Sequence, residues 1–117
     1  MILTIQATEV TARASDGQAG GSRVKVVERP FVEGEYLDGM MQGGWIMYYR
    51  DGSIGSNAVY DRGTGVQKGY GEGGSYQNAE IHYKNNLKDG KETRFNMDGS
   101  ISEILLWREG EYVGKEK

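Results

Sequence analysis

The single histidine of the chain is the first residue to consider for metal binding or acid–base chemistry. His82 stands between Ile81 and Tyr83. A zinc site built on it would need three further ligands, all carboxylates, and none is suitably spaced. Its place in an alternating stretch is typical of a solvated strand histidine. The sequence therefore predicts no metal site.

Nucleophiles and phosphate-binding glycines give no support for an enzyme. The chain has no cysteine and no Gly-x-Ser-x-Gly sequence, so neither a reactive thiolate nor a hydrolase serine is predicted. The glycine-rich stretch 63–71 lacks the lysine and serine positions of a phosphate loop. The Asp-Gly pairs lack calcium-loop spacing. Scattered carboxylates remain the one open route to catalysis. We predict no catalytic residue, no cofactor and no enzymatic activity.

Charge and hydropathy argue against two classes of partner. Fourteen basic and seventeen acidic residues give a net charge of −3 and are spread along the chain. Without a basic block, the sequence does not predict binding to nucleic acid or anionic lipid. No apolar run approaches the roughly 20 residues needed to cross a bilayer, so no transmembrane segment is predicted.

Residues 1–14 leave two interpretations open. The alternation of Leu3, Ile5 and Val10 predicts a strand, and the absence of cysteine fits a cytoplasmic protein. The ending Ala12-Arg13-Ala14 resembles a signal-peptide cleavage site, although the basic and sustained apolar regions are missing. In that second interpretation the protein is periplasmic or envelope-associated.

An internal repeat dominates the rest of the sequence. Residues 36–54 align without a gap with residues 83–101, and both segments end in Asp-Gly-Ser-Ile. Opening aromatics recur every 23 or 24 residues, a period that fits one hairpin but not a helix pair. We therefore predict an all-β fold, an antiparallel β-meander of repeated hairpins. The repeat positions are Tyr36, Tyr48, Tyr60, Tyr70, Tyr83, Phe95 and Trp107, with glycines Gly43, Gly52, Gly65, Gly74, Gly90 and Gly99.

Stacked hairpins predict two columns of aromatic side chains, each ring contributing roughly 1.5–3 kcal/mol when buried. The columns are Tyr48, Tyr70 and Phe95, and Tyr36, Tyr60, Tyr83 and Trp107. Strand glycines are expected to let a ring lie over the backbone. The candidates are Gly44, Gly69 and Gly71.

Asp-Gly pairs predict the turns between these strands. Asp51-Gly52 and Asp98-Gly99 are expected to form two-residue hairpin turns. Asp38-Gly39 and Asp89-Gly90 are expected at the alternate turns.

Alternation along residues 44–50 assigns the two faces of one strand. We expect Ile46 and Tyr48 to face the core, and Trp45, Met47 and Tyr49 to face the other way. Aromatic residues and methionine are enriched in interface cores, which makes the last three candidate partner-binding residues. The alternative is that the N-terminal strands cover them. The matching later strand carries Glu92, Arg94 and Asn96, which predicts a solvated rim.

A single domain is predicted from the length of 117 residues. Residues 1–31 would form N-terminal capping strands, over 2–13 and 23–29, and an intervening loop. Residues 32–117 would form the repeats, ending in an edge strand near 111–114 that is guarded by lysines.

The repeat unit, Y-x-x-G-x-x-x-G-x-W-x-x-Y-Y-x-x-G-x-[LI], resembles the bacterial variant of the MORN repeat found in the YwqK-like antitoxin family. The resemblance covers residues 32–115, with Gln67 and Glu92 standing where the motif has tryptophan. It implies a meandering sheet that grows by one hairpin per repeat. By analogy with that family we expect a protein-binding module that neutralises a partner such as a toxin, and we expect a monomer or weak oligomer. An envelope-associated or scaffolding protein is the alternative.

Overall fold

The computed structural model describes residues 11–12, 23–28 and 31–116, with side chains described only in the last range. Ten strands make up most of this part of the chain. They are β1 (Thr11–Ala12), β2 (Arg23–Glu28), β3 (Val32–Leu37), β4 (Met40–Tyr48), β5 (Ile54–Asp61), β6 (Thr64–Tyr70), β7 (Gln77–Lys84), β8 (Leu87–Phe95), β9 (Ile101–Arg108) and β10 (Glu111–Lys115). The helical element in the described ranges is one 3₁₀ turn, Glu72–Gly74.

All ten strands form one sheet in which spatial order follows chain order and neighbours are antiparallel. Each hairpin is thus added beside the previous one, as short connections favour. The predicted antiparallel β-meander is confirmed. β2 pairs along its whole length with β3, and β10 is an edge strand near the predicted position. Most of the predicted first strand and the following loop, within residues 1–10 and 13–22, lie outside the described residues.

Four connections are two-residue turns in which both residues have a positive φ. This geometry belongs to type I′ turns, whose twist matches that of the flanking strands. The turns are Asp38-Gly39, Arg62-Gly63, Asn85-Asn86 and Glu109-Gly110. The prediction of a turn at Asp38-Gly39 is confirmed.

The turn predicted at Asp89-Gly90 is wrong, because both residues lie inside β8. The chain turns earlier, at Asn85-Asn86, where the φ angles are 52° and 70°. Gly90 has a φ of 100° and pairs with Trp107 of the neighbouring strand β9. Glycine supplies positive φ to a strand irregularity as readily as to a turn, so the dipeptide alone did not distinguish them.

The loop between β4 and β5 shows why Asp-Gly-Ser recurs. The Tyr49 N–H donates to the Ser53 carbonyl at 2.8 Å, and only Gly52 has a positive φ, of 88°. The Asp51 carboxylate accepts a bond from the Ser53 N–H at 2.8 Å, the local bond that aspartate makes in turns. The loop 96–100 repeats all of this geometry. The predicted two-residue turns at these pairs are therefore wrong.

The repeat extends to backbone hydrogen bonds. The two best-matched segments, 36–54 and 83–101, are offset by 47 residues. The Gly63 N–H donates to the Met41 carbonyl at 2.8 Å, and the equivalent Gly110 N–H donates to the Lys88 carbonyl at 2.8 Å. Sequence-equivalent positions in the two segments are therefore structurally equivalent as well.

Aromatic rings lie opposite glycines on neighbouring strands. Gly65 pairs with Tyr60 on one side and Tyr83 on the other, and the two rings meet edge to face with centroids 5.8 Å apart. A Cβ at Gly65 would lie 2.9 Å from a Tyr60 ring carbon and 2.3 Å from the Val59 carbonyl oxygen. This contact within the predicted aromatic column is confirmed, and it requires glycine.

The three glycines expected beneath rings behave differently. A Cβ at Gly71 would meet the Tyr76 ring at 2.6 Å, as expected, whereas a Cβ at Gly69 would meet the Asn78 side-chain oxygen. Gly44 has nothing within 4 Å of the same position. The prediction is wrong for Gly44 and Gly69, because the Trp45 ring lies over Gly34 in β3 and the Tyr60 ring lies over Gly65 in β6 instead.

Candidate protein-binding surface

One face of the sheet carries the most buried side chains of residues 31–116. They are Ser56, Ala58, Tyr60 and Glu92, with 8%, 7%, 4% and 2% of their surface exposed. Opposed residues of an antiparallel pair share a face, and the register links Ala58 to Glu92 through Gln67 and Ile81. We term this side the buried face.

Trp45 and Met47 lie on the buried face. Trp45 pairs with Ala58, and Met47 pairs with Ser56. The expectation that these two residues point away from the core is therefore wrong. Their position places them beside the most buried part of the sheet rather than on its solvated side.

Trp45 is fixed in place by three contacts. Its indole N–H donates to the Glu35 carbonyl at 3.1 Å, and its ring meets Tyr36 edge to face at 5.0 Å. A Cβ on Gly34 would fall 2.1 Å from a ring carbon, so the indole covers the backbone of β3. The side chain remains half-buried, which leaves part of the indole available for contact.

Ile46 and Tyr48 lie on the opposite face, contrary to the prediction that they form the core. Ile46 pairs with Asn57, and on the same side Val59 is 75% exposed. The Tyr70 hydroxyl also reaches this side, where it donates to Asn57 Oδ1 at 3.3 Å. Alternation separates the two sets of residues correctly, but both sets are apolar, so it does not indicate which one is buried.

Tyr49 follows Met47 at the end of the buried face. Its hydroxyl donates to the Tyr70 carbonyl at 2.6 Å, and its ring packs against Gly55, where a Cβ would lie 3.3 Å away. These contacts fix the ring in a half-buried position. A partner-binding role for Trp45, Met47 and Tyr49 stays a prediction.

An apolar hollow of about 230 Å³ opens in the buried face. Its apolar lining comes from Val32, Met41, Trp45, Ile46, Met47, Ala58, Tyr60 and Tyr83, of which Ile46 has its side chain on the opposite face. Gln67, Asn57 and Asn86 supply polar atoms at its margin. Its volume exceeds the roughly 150 Å³ of an engineered cavity that binds benzene, so an aromatic or large aliphatic side chain fits within it.

Three charged side chains take the place of this apolar set in the later repeat. Glu92 occupies the position equivalent to Trp45, and it bonds to Lys88 Nζ at 2.9 Å and Arg94 Nη2 at 3.0 Å. Lys88 and Arg94 are equivalent to Met41 and Met47. The triad Lys88–Glu92–Arg94 thus replaces the triad Met41–Trp45–Met47 on the same face.

The burial of Glu92 contradicts its predicted place in a solvated rim, whereas Arg94 and Asn96 are exposed as predicted. Burial by itself raises the pKa of the carboxyl, but the hydrogen bonds from Lys88 and Arg94 outweigh it and bring that pKa below its ordinary value. Lys88 Nζ also lies 4.5 Å from the Trp107 ring centroid. The sequence signal for this cluster was the alignment of Glu92 with Trp45.

Two phenols lie between the apolar and charged triads. Burial raises the pKa of Tyr60, and the neighbouring Tyr83 and Tyr36 raise it further. Burial likewise raises the pKa of Tyr83, and Glu92 adds to the effect. Both hydroxyls therefore stay protonated at neutral pH and present a neutral surface.

In the part of the chain that the structure describes, no group of three or more histidine and carboxylate residues could hold a metal ion. His82 is exposed on the face opposite to Glu92 and pairs with Val66. No helix in the described ranges is long and apolar enough to span a membrane.

No family model, curated protein or solved structure matches this chain. The resemblance to MORN-type repeats accordingly rests on the sequence positions alone. The confirmed features are the antiparallel meander and the equivalent geometry of its two best-matched segments.

Proposed function

We propose that this chain is a non-catalytic protein-binding module that neutralises a partner by occupying its surface, in the manner of an antitoxin or immunity protein. The buried face is the contact surface. The observation that carries the proposal is the apolar hollow beside Trp45 and Met47, which remains open in residues 31–116. Apolar hollows lined by aromatic residues and methionine are where the strongest interface contacts form.

The rigidity of the hollow also supports binding. Trp45 is held by its bond to the Glu35 carbonyl, and Tyr60 by its glycine neighbours. Side chains already fixed in their bound positions lose little entropy on association. An anchor side chain from the partner would therefore enter a site that needs little rearrangement.

Met47→Arg is the variant that tests this function. Arg94 occupies the equivalent position but is paired with Glu92, whereas Met47 stands beside Trp45, so a urea titration must first show that the variant keeps the wild-type stability. A charged group at position 47 would then block an apolar anchor. We expect Met47→Arg to weaken partner binding by about 2 kcal/mol or more, a loss typical of an interface hot spot. In cells, the variant should no longer protect against a toxin encoded beside its gene.

Met97→Arg is the matched control. Met97 is 77% exposed, and Arg50 occupies its equivalent position, so this change also copies a residue that the repeat already contains. The control should bind and protect like the wild type. Equal protection by both variants would contradict the proposal.

One observation favours the alternative of a scaffold. Another hollow, of about 620 Å³, lies on the opposite face, where Ile46, Val59, Val66 and Tyr70 are among its lining residues. A scaffold would hold one partner on each face at the same time. Sedimentation of the protein with its partner would separate the two functions, because neutralisation needs one occupied face and scaffolding needs both.

A further inference from the structure

The buried face has a second hollow that adjoins the apolar one. It has a volume of about 550 Å³, and it shares Met47, Ser56 and Gln67 with the apolar hollow as common walls. Its far side is formed by the charged residues Lys88, Glu92, Arg94 and Glu103. A continuous groove therefore crosses the strands, apolar at β4 and charged at β8.

The charged end has more cations than carboxylates among the described side chains once Lys115 is counted with it. Lys88 and Arg94 share the single carboxylate of Glu92, while Lys115 pairs with Glu103 at 3.0 Å. The charged lining itself holds two cations and two carboxylates. Because Lys115, which is not a lining residue, neutralises Glu103, Lys88 and Arg94 are left with one carboxylate between them and an excess of one positive charge. This end of the groove is suited to an anion.

Arg94 is the group best placed to receive that anion. Its Nε and Nη2 atoms both contact the same oxygen of Glu92, at 3.0 Å, and its side chain is 53% exposed. A guanidinium carries five N–H donors in a planar fork that matches a carboxylate. The contacts to Glu92 orient the fork while leaving donors for a second carboxylate.

We propose that the partner segment carries a large apolar side chain that fills the apolar hollow, together with a nearby acidic side chain that binds Arg94. This inference rests on the proposed function, because it assumes that a protein segment occupies the buried face. It specifies the partner's chemistry: an extended segment that crosses the strands and has an aromatic or large aliphatic anchor followed or preceded by a carboxylate.

Selection from a random dodecapeptide library on the immobilised 117-residue chain tests the proposal. The enriched peptides are expected to combine one large apolar residue with an acidic residue a few positions away. In calorimetry, Arg94→Gln should weaken the affinity of the consensus peptide about tenfold, equivalent to roughly 1.4 kcal/mol. Repeating the selection on Arg94→Gln should remove the acidic preference and retain the apolar one.

Lys91→Gln is the matched control, since it removes the same charge from the same strand. Lys91 adjoins Glu92 in sequence, and its side chain therefore points to the other face. It is 54% exposed and pairs with Glu116 at 3.2 Å. The affinity of the consensus peptide should change less than about twofold in this variant.

The wild-type protein offers a check that does not depend on how Arg94→Gln folds. Raising the salt concentration to about 1 M shortens the screening length to about 3 Å, so the acidic preference should fade while the apolar preference persists. Urea titrations of the two variants would show whether both retain a cooperative fold.

The possible failures separate the two proposals. Peptides that lose binding with Met47→Arg but ignore both Arg94→Gln and salt would overturn the acidic specificity and leave the protein-binding function standing. Peptides that ignore Met47→Arg as well would count against both. A library that yields no enriched sequence would overturn the proposed partner segment.

Discussion

Strands β4 and β8 have the same backbone and opposite chemistry. In β4, the buried face presents Met41, Trp45 and Met47. In β8, the equivalent positions carry Lys88, Glu92 and Arg94 joined by ion pairs. Both strands nevertheless end in the same Asp-Gly-Ser loop and follow the same type of two-residue turn.

The two strands share the residues that build the sheet and differ in the side chains that the sheet presents on its buried face. Tyr60 lies opposite Gly43 beside β4, and its equivalent, Trp107, lies opposite Gly90 beside β8. This frame of aromatic residues paired in register with glycines is common to the two strands, whereas the three other side chains on the buried face differ completely. The frame therefore specifies the fold, and the residues at the intervening positions can differ without changing it.

Tyr60→Ala tests the frame and should have the largest effect. Tyr60 has 4% of its surface exposed, so its truncation leaves a cavity beside Gly65 and Tyr83. We expect the free energy of unfolding to fall by about 3–5 kcal/mol, as for other buried aromatic side chains. Urea titration measures this change. Val59→Ala, on a side chain that is 75% exposed, should change it by less than about 0.5 kcal/mol.

The frame is also the part of the structure that the sequence predicted well. Aromatic residues every 23 or 24 positions, with glycines between them, specified hairpins and the Tyr60–Tyr83 contact. A period and a turn composition depend on local geometry, which sequence spacing reports directly. That is why a meander of hairpins added in chain order followed from the repeat.

The site could be predicted only in part, because it depends on which face is buried. Both sides of β4 are apolar, with Ile46 and Tyr48 on one and Trp45 and Met47 on the other, so alternation gave the two sets without ranking them. Glu92 was assigned to a rim because isolated carboxylates are seldom buried. Its burial depends on Lys88 and Arg94 meeting it in space, which a strand irregularity near Gly90 helps to determine.

Glu92→Ala should have the next largest effect. The substitution leaves Lys88 and Arg94 facing each other across a cavity without their shared carboxylate. Because both cations are partly exposed, the cost should be smaller than for a fully buried pair, about 1–3 kcal/mol. A urea titration that shows no loss would indicate that the triad contributes nothing to the second half of the sheet.

Replacing the whole charged triad should cost less than removing its centre. In the triple variant Lys88→Met, Glu92→Met and Arg94→Met, unbranched apolar side chains would replace the ion pairs. Methionine rather than tryptophan is placed at position 92 because Ile81 stands where β3 has Gly34, the glycine that Trp45 covers. Apolar replacements of buried ion pairs are often neutral or stabilising, so we expect stability within about 1 kcal/mol of the wild type. The same variant should lose any preference for acidic peptides. A strongly destabilised triple variant would show that β8, unlike β4, does not tolerate a fully apolar set of side chains on the buried face.

The two triads should also differ in how the free energy of unfolding depends on pH, and this is the smallest of the expected effects. The folded-state pKa of Glu92 lies below its ordinary value of 4.5, since the hydrogen bonds from Lys88 and Arg94 outweigh the opposing effect of burial. A depressed carboxyl pKa contributes stability that is fully present above about pH 4.5 and is lost as the pH falls through the folded-state value. The wild type should therefore lose stability on acidification toward about pH 3.

Asp51 and Asp98 also have lowered pKa values, through hydrogen bonds from Ser53 and Ser100, and they add acid sensitivity to every variant equally. The difference between wild type and the triple variant isolates Glu92. Urea titrations between about pH 6 and pH 3 should show the two stabilities converging or crossing as the charged triad loses its carboxylate, because only the wild type carries that group. If the two curves stay parallel throughout this range, Glu92 has the same pKa in the folded and unfolded chains. The ion pairs in β8 would then not distinguish that strand from β4.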